Sequence, residues 1–448
     1  MGEVAPGGAA NEPDVPAGGS VAQQERAAGL WRIRYALTVA SITAVVGLVV
    51  VLAAVLAVLG FPHLEHKPLS TSQLLDVVKL VLGTVAGVGA LFALVMAYRR
   101  QKLAEVAEIR DRGRAALEQQ RARDDLTRVF NERFGAASAQ LGHDEPAVRL
   151  AGAYAMAGLA DDWEQGRQTC IDVLCAFLRL PYDPYPGDAP AEGSEPAEHA
   201  RVRAAYRAMR VVRHTVIRII GNHLNGHTDV SWRGHDLDFT DVVFDGGDFR
   251  NAVFADANVS FQGAGFVDGI VNFGGAQFAG TINFGGARFT GGRVNFRRTR
   301  LDDGRIDFDE ARFAGGTIDF SLARFSDGTL RFAGARFAGG TADFVGTEFA
   351  GGTVDFGGVQ FIGGRINFTG AWLLGGMVDF SRTRYGGAVI DFHRASFTGA
   401  LVGFGGARFE DGRLDFGGAR FAGGMVDFGR TTGQRATGLP DGIADHLS

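Results

Sequence analysis

Side chains that commonly carry chemistry are sparse in this sequence, and their spacing does not match a familiar catalytic or metal site. Cys170 and Cys175 stand five apart in an apolar helical stretch, which suits neither a disulfide framework nor a zinc site. The adjacent pair Asp161 and Asp162 lies at a predicted helix start, where aspartates usually cap the helix. His393 has no second His or Cys at ligand spacing. We therefore expect two buried, reduced thiols and no metal site.

Serine and glycine patterns also give no support for a nucleophile or a phosphate-binding loop. Ser321, Ser381 and Ser396 fall at positions predicted to point outward, and no base lies near them in sequence. The G-G-x-x-F strings lack the G-x-x-x-x-G-K-[ST] pattern of phosphate-binding loops. The sequence therefore predicts a protein that is not an enzyme and that needs no cofactor.

Composition divides the 448-residue chain into two dissimilar parts. The 66 glycines and 35 phenylalanines crowd into the second half, whereas the first half is rich in Ala, Leu, Val and Arg. A formal net charge of -5 is small for this length, so nothing global favours nucleic acid as a partner. We expect a mixed fold built from several units.

Two long apolar stretches near the N-terminus predict a transmembrane helical hairpin over residues 31–98. The first predicted span, 35–61, contains no charged side chain and exceeds the roughly 20 residues that cross a bilayer. It is also too long for the apolar region of a secretory signal. The second predicted span covers residues 78–98.

Basic residues outside the two spans predict the orientation of the hairpin. They lie before the first span and after the second, which places both termini in the cytoplasm of a multi-pass cell-membrane protein. These residues are Arg26, Arg32, Arg34, Arg99, Arg100 and Lys102. A G-x-x-x-G at Gly83 and Gly87 is compatible with a homo-oligomer, although such matches are common in Gly-rich spans.

Residues 99–230 predict a cytoplasmic α-helical region that contains a Pro-rich linker at 181–198. Asp144 is predicted to cap the first helix of a pair, and Asp161 or Asp162 the second. A further helix from about Ala197 is expected to cover the end of the unit that follows.

Phenylalanine recurs through residues 231–430, every five residues from Phe239 to Phe254 and then with a spacing that alternates between seven and five. From Phe284 to Phe428 a twelve-residue unit repeats without insertions or deletions. Its typical sequence is V-D-F-G-G-A-R-F-A-G-G-T, approximated by the unit that begins at Val354. Such self-similarity predicts stacked units that contact only their neighbours. The flanking segments, 1–30 and 431–448, are predicted to be tails, the first of them disordered.

The repeat has a small or β-branched residue two before each Phe and a polar residue just before it. In this pattern, A-[D/N]-[L/F]-x-x, the sequence resembles the pentapeptide-repeat family. The resemblance implies a right-handed quadrilateral β-helix with one pentapeptide on each side. The helical region resembles that of membrane-anchored, actinobacterial-type members. Independently, period-two alternation sends Val354 and Phe356 inward and Asp355 outward.

Extra residues, often Gly-Gly or Gly-Thr, separate alternate pentapeptides after Phe254. Glycine tolerates the positive φ of tight corners, so we interpret these residues as corner bulges in coils of about 24 residues. A two-sided solenoid with a single twelve-residue unit per coil is the alternative. It would leave little room for two phenylalanines per coil. The block Leu237–Asp256 supplies four uninterrupted pentapeptides and predicts one complete coil.

Charged residues just before the phenylalanines predict basic and acidic stripes on adjacent sides of the stack. The acidic and amide set includes Asp355 and its equivalents, and solubility alone could explain both stripes. The candidate interaction stripe consists of Arg288, Arg300, Arg312, Arg324, Arg336, Arg384, Arg408 and Arg420.

The leading functional hypothesis is a membrane-anchored, non-catalytic scaffold that presents a binding surface to an unidentified cytoplasmic protein. Soluble members of the family that mimic DNA and modulate topoisomerase suggest an alternative, but the nearly balanced charge makes nucleic-acid mimicry and nucleic-acid binding unfavourable. A channel or transport accessory is a further alternative. Neither predicted span carries a deep polar residue that would support it.

Overall fold

The computed structural model describes residues 70–433 of the chain almost continuously. The described residues are scattered positions between Tyr35 and Ala57, followed by 70–183, 185–190, 195–255 and 257–433. The predicted N-terminal tail lies outside them, as does the predicted C-terminal tail beyond Gly433, and the predicted span 35–61 is described only in part. Within that span the described residues are helical. Contacts divide the chain into two units, 1–122 and 123–448.

Helix α1, Thr71–Leu141, runs without interruption through the predicted second span and the predicted cytoplasmic helix. Its apolar part has a mean hydropathy of 2.3 and is long enough to cross a membrane. The residues after Arg100 are mostly Ala, Leu, Glu, Lys and Arg, which favour helix and let it continue. Among the described residues α1 is the one candidate span, where the sequence predicted a pair.

Three further α-helices and one short 3₁₀ turn follow α1. Their bounds are α2 Pro146–Asp162, the 3₁₀ turn Glu164–Gly166, α3 Arg167–Arg179 and α4 Pro196–Asn225. The prediction that Asp144 caps α2 is wrong, because Glu145 occupies the cap position and its side chain makes no capping hydrogen bond. Pro146 instead starts the helix, where its missing N–H costs nothing.

The helical region packs around small and apolar side chains of α2 and α3. Cys170 and Cys175 are buried there as free thiols, as predicted. Burial raises the pKa of Cys170 to about 11 and that of Cys175 to about 12, so both stay protonated at neutral pH. Gly152 permits close helix contact, since a Cβ there would collide with the backbone nitrogen of Leu141.

Helix α4 covers the start of the β-solenoid, as the sequence predicted. Gly221 of α4 lies so close to the first coil that a Cβ would collide with the carbonyl oxygen of Asp248. In the other direction, a Cβ on Gly247 would come within 3.0 Å of the Ile217 side chain. The helix ends at Gly226, whose φ of 83° suits the left-handed position after a helix.

The described residues from Leu237 to Gly433 form four parallel β-sheets, which we number I to IV in the order the chain visits them. Sheet I contains β1 Leu237–Asp238, β5 Asn258–Ser260, β9 Thr281–Asn283, β13 Arg305–Asp307, β17 Thr329–Arg331, β21 Thr353–Asp355, β25 Met377–Asp379, β29 Leu401–Gly403 and β33 Met425–Asp427. Sheet II contains β2 Val243–Phe244, β6 Gly265–Phe266, β10 Arg288–Phe289, β14 Arg312–Phe313, β18 Arg336–Phe337, β22 Gln360–Phe361, β26 Arg384–Tyr385, β30 Arg408–Phe409 and β34 Thr432–Gly433.

The two remaining sheets have eight strands each. Sheet III contains β3 Gly247–Asp248, β7 Ile270–Asn272, β11 Arg293–Asn295, β15 Thr317–Asp319, β19 Thr341–Asp343, β23 Arg365–Asn367, β27 Val389–Asp391 and β31 Arg413–Asp415. Sheet IV contains β4 Val253–Phe254, β8 Gln277–Phe278, β12 Arg300–Leu301, β16 Arg324–Phe325, β20 Glu348–Phe349, β24 Trp372–Leu373, β28 Ser396–Phe397 and β32 Arg420–Phe421.

Strand register confirms that each coil consists of two twelve-residue units. Arg312 pairs with Arg336, two units later, and the same offset holds through the later coils. The first coils are slightly shorter, since Leu237 pairs with Val259. Each of the eight complete coils visits four sheets in turn, so the alternative of a single unit per coil is wrong. The predicted first coil is confirmed, because its four strands each start one of the sheets.

Phenylalanine side chains fill the interior in continuous stacks. Phe356 is fully buried, with ring centroids 4.6 Å from Phe332 and 4.8 Å from Phe380. Rings from different sheets meet edge to face, as Phe284 and Phe296 do at 86°. Both arrangements are favourable for aromatic rings, so the regular spacing of Phe in sequence becomes a continuous core.

Corner glycines serve two physical purposes. Gly376, with φ of 74°, adopts the left-handed conformation that the sequence predicted for corners. Gly315 does not need positive φ, but a Cβ there would come 2.7 Å from the carbonyl oxygen of Thr290 in the coil below. The extra glycines therefore allow both tight turns and close stacking of successive corners.

Candidate interaction surface

The predicted arginine stripe divides into two columns on different sheets. Alternate repeats fall on sheets II and IV, which are separated in each coil by sheet III. The sheet II arginine column consists of Arg288, Arg312, Arg336, Arg384 and Arg408. The sheet IV arginine column consists of Arg300, Arg324 and Arg420. All eight side chains are exposed, as the sequence predicted.

The composition of the two columns differs. In sheet II the register runs from Arg336 through Gln360 to Arg384, so only one neutral residue interrupts the arginines. In sheet IV, Glu348, Trp372 and Ser396 separate Arg324 from Arg420. Sheet II thus carries the longer series of arginines, with a single neutral interruption.

The sheet II arginine column has no protein partner among the described residues. None of its five guanidinium groups makes a hydrogen bond or an ion pair within the described part of the chain. In sheet IV, Arg324 lies 3.6 Å from the Glu348 carboxylate. Neighbouring strands stand about 4.8 Å apart, so sheet II brings like charges together without a counter-charge.

The acidic and amide side chains of sheets I and III form hydrogen bonds with the backbone as well as contributing to the surface. The Oδ1 atom of Asp355 accepts a hydrogen bond from the backbone N–H of Gly357 at 2.7 Å, and Asn283 does the same for Gly285. Each contact satisfies an N–H at the start of a corner. The preference for Asp or Asn at this position follows, because both carry the required oxygen.

Two of these aspartates are also buried in ion pairs, contrary to the prediction that their charge would meet water. Asp319 has a fully buried side chain and pairs with Arg293, one coil earlier. Asp391 pairs in the same way with Arg365. In sheet I, Arg331 lies 3.0 Å from Asp309. Arginines of sheets I and III are therefore neutralised within the solenoid.

Asp343 lacks such a pair and stacks directly on Asp319. Burial, and then the negative charge of Asp319, raise the pKa of the Asp343 carboxyl above its usual range. Its Oδ1 still accepts a hydrogen bond from the Val345 N–H at 3.3 Å. Sheet III therefore contains one carboxylate that is held at an energetic cost.

A polar cluster that the sequence analysis missed joins the helical region to the first coil. Asp245 is buried and accepts hydrogen bonds from the Tyr182 hydroxyl at 2.8 Å and the Tyr206 hydroxyl at 2.6 Å. Its carboxylate also contacts Arg210 Nε at 3.0 Å and His214 Nε2 at 2.9 Å. The i, i+4, i+8 spacing of the three α4 residues was the available signal.

Hydrogen bonding in this cluster fixes its protonation state. Burial alone would raise the pKa of Asp245, but hydrogen bonds from His214, Tyr206 and Tyr182 outweigh it and hold that pKa far below its usual range. Burial and the bond to Asp245 raise the pKa of Tyr206 to about 12. With a permanently charged acceptor and protonated tyrosines, the cluster is suited to holding the two elements together.

Asp161 forms a second connection at the same junction. Its carboxylate accepts a hydrogen bond from Trp232 Nε1 at 2.8 Å and contacts His223 Nε2 at 3.1 Å. The His223 and Trp232 rings stack with centroids 3.9 Å apart. Asp161 lies at the end of α2, so the prediction that it starts and caps the next helix is wrong.

The remaining candidate residues do not come together. Ser321 is buried, not outward as predicted, and its N–H donates to Asp319. Ser381 lies in the turn after β25, Ser396 lies in β28, and His393 is exposed. Among the described residues no group of three or more His, Cys, Asp or Glu could hold a metal ion.

Comparisons with protein-family models, with curated proteins and with solved structures find no match to this chain. The coil geometry and the residue contacts above are thus the observations on which a functional proposal rests.

Proposed function

We propose that the chain is a membrane-anchored pentapeptide-repeat protein that acts as a non-catalytic scaffold for a cytoplasmic protein. The observation that carries the proposal is the contrast between neutralised and free arginines. Sheets I and III pair theirs within the fold, whereas sheet II displays five exposed guanidinium groups without a partner among the described residues. Stacked like charges are unfavourable unless another molecule neutralises them.

The four-sheet coil and its buried phenylalanines support membership in the pentapeptide-repeat family. The resemblance further implies a right-handed, quadrilateral coil. A rigid stack of this kind offers many equivalent positions on one surface, which suits binding better than chemistry.

For the membrane part we propose two spans, 35–61 and 78–98, with both termini in the cytoplasm. The apolar part of α1 supports the second span, and the basic flanks support the orientation. Cysteines introduced at Ser70 and Thr290 test this, because both positions are exposed whereas the native cysteines are buried. An impermeant thiol reagent should label position 70 but not position 290 in intact cells. Labelling of position 290 would overturn the orientation.

The scaffold role is tested by affinity purification of the full chain from cross-linked membranes. Replacing the five arginines of the sheet II arginine column with Gln should remove at least nine tenths of a specifically recovered partner. A control variant with Gln at Arg110, Arg114, Arg121 and Arg123, which are exposed on α1, should retain it. Equal recovery by both variants would show that the sheet II arginines do not recruit the partner.

A further inference from the structure

The sheet II arginine column has the dimensions of a narrow binding track. Arg288 and Arg408 are five coils apart, which corresponds to about 24 Å at the usual strand spacing of roughly 4.8 Å. Each sheet II strand is only two residues long, so the face is about 7 Å across. A ligand that fits this track is long, narrow and negatively charged.

Residues beside the column restrict the ligand further. Small exposed residues follow four of the five strands that carry its arginines, namely Thr290, Ala314, Ala338 and Gly386. Ile362, which follows the intervening Gln360 strand, is aliphatic. They leave a floor with no exposed aromatic ring along the described part of sheet II. Single-stranded nucleic acid usually relies on such rings for base stacking, so this face suits it poorly.

Charges at the edges of sheet II disfavour broad anionic surfaces. Glu310 and Glu410 are exposed at the corners on either side, and sheets I and III beyond them carry the aspartates. A DNA duplex, whose major groove alone is about 12 Å wide, would extend over those acidic edges. A flat anionic membrane would meet the same glutamates. A single α-helix is only about 10 Å across with its side chains, so it overlaps these edges less than a duplex or a membrane does.

We propose that the sheet II arginine column binds an acidic α-helical segment of a partner protein, laid along the coil stack. Side chains at i, i+3 and i+4 of a helix lie about 4.5 to 6 Å apart along its axis, close to the coil spacing. In an extended strand, side chains on one face are about 6.6 Å apart and match less well. Carboxylates can accept paired hydrogen bonds from each guanidinium. About 16 helical residues cover the column.

The inference rests on the proposed scaffold function and names the chemistry of its partner. It is tested on the full chain in neutral-lipid nanodiscs by fluorescence anisotropy. The probe is a labelled 18-residue Ala/Glu peptide with Glu at positions 2, 5, 9, 12 and 16. A scrambled peptide of the same composition, a dT20 oligonucleotide and vesicles containing anionic phosphatidylglycerol are compared with it.

We expect the patterned peptide to bind and the scrambled peptide to bind at least fivefold more weakly. The double variant Arg312→Glu/Arg336→Glu should weaken binding at least tenfold, because like charges then face each other. The matched variant Arg300→Glu/Arg324→Glu, in the same strand position of sheet IV, should stay within twofold. Unchanged melting temperatures would show that both variants fold.

Equal losses in the two variants, or equal binding of the scrambled peptide, would overturn the inference. So would binding of the oligonucleotide or the vesicles through sheet II when the peptide does not bind. A partner recovered from membranes through the sheet II arginine column, together with a peptide that fails to bind, would leave the scaffold proposal intact. Peptide binding without any partner recovered from membranes would support the binding track and contradict the scaffold proposal.

Discussion

The arginines of sheets I and III and the arginines of sheet II have opposite relationships to the fold. In sheets I and III, Arg293, Arg331 and Arg365 each neutralise an aspartate of the solenoid. In sheet II, Arg312 and its stacked equivalents contact no acidic group among the described residues. The difference teaches that charge in this repeat has two uses: one set of side chains belongs to the folded structure and another remains available for a partner.

The largest expected loss of stability comes from the interior, which all four sheets share. Phe356→Ala removes a fully buried ring that stacks between Phe332 and Phe380, and should lower the free energy of unfolding by about 3–5 kcal/mol. Chemical denaturation followed by circular dichroism measures the loss. A loss below about 1 kcal/mol would show that coil stacking does not depend on the aromatic core.

The second prediction applies the same substitution to both kinds of face. Arg293→Ala leaves the Asp319 carboxylate buried without its partner and beside Asp343, and should cost about 3 kcal/mol. Arg288→Ala, five residues earlier in sheet II, should change the free energy of unfolding by less than about 0.5 kcal/mol. Similar values for the two variants would abolish the distinction between the faces.

The third prediction concerns the corner hydrogen bond of sheet I. Asp355→Ala removes the acceptor of the Gly357 N–H and should cost about 1 kcal/mol. Asp355→Asn keeps an oxygen in the same place and should cost less than about 0.5 kcal/mol. If both variants lose the same stability, the charge of Asp355 matters and the corner hydrogen bond does not.

Much of the solenoid was predictable because its core follows directly from sequence spacing. The coil of two repeat units, the inward phenylalanines and outward arginines such as Arg408 are all confirmed. The pairing of charges was not predictable in the same way. Arg293 pairs with Asp319 of the next coil, whereas Arg305 pairs with Asp307 of its own strand at 2.6 Å. Local spacing alone cannot decide between these choices.

The junction shows a second limit of the sequence. Asp245 draws donors from a linker tyrosine and from α4, so its role depends on how two separate elements meet. Arg331 shows the same dependence on neighbours. It occupies a position that usually holds Asp, and Asp309 from the coil below supplies the acceptor for the Ala333 N–H at 2.9 Å. The replacement of a corner acceptor by a residue of a neighbouring coil can be recognised only once the stacking of the coils is known.

The fourth prediction concerns the pH dependence of Asp343, a half-buried carboxyl of sheet III. Because the pKa of Asp343 is raised in the folded state, folding favours its protonated form, and stability falls as pH rises from the unfolded value of about 3.9 through the folded value. Asp343→Asn should therefore raise the melting temperature at pH 7, and the gain should vanish at pH 3. A gain that is equal at both pH values would contradict this cause.

The smallest expected effect concerns the free arginines themselves. Arg312 stacks between Arg288 and Arg336, so Arg312→Gln removes two like-charge contacts and should stabilise the solenoid by about 0.3 kcal/mol at low salt. Because exposed charges are screened within about 10 Å at 0.1 M salt and more strongly at 1 M, this gain should disappear at high salt. Arg293→Gln in sheet III should instead destabilise the solenoid under both conditions, since its aspartate is buried. Denaturation of both variants at two salt concentrations makes the comparison. Destabilisation by Arg312→Gln would mean that sheet II arginines contribute to the stability of the fold. The column would then not be a free binding surface.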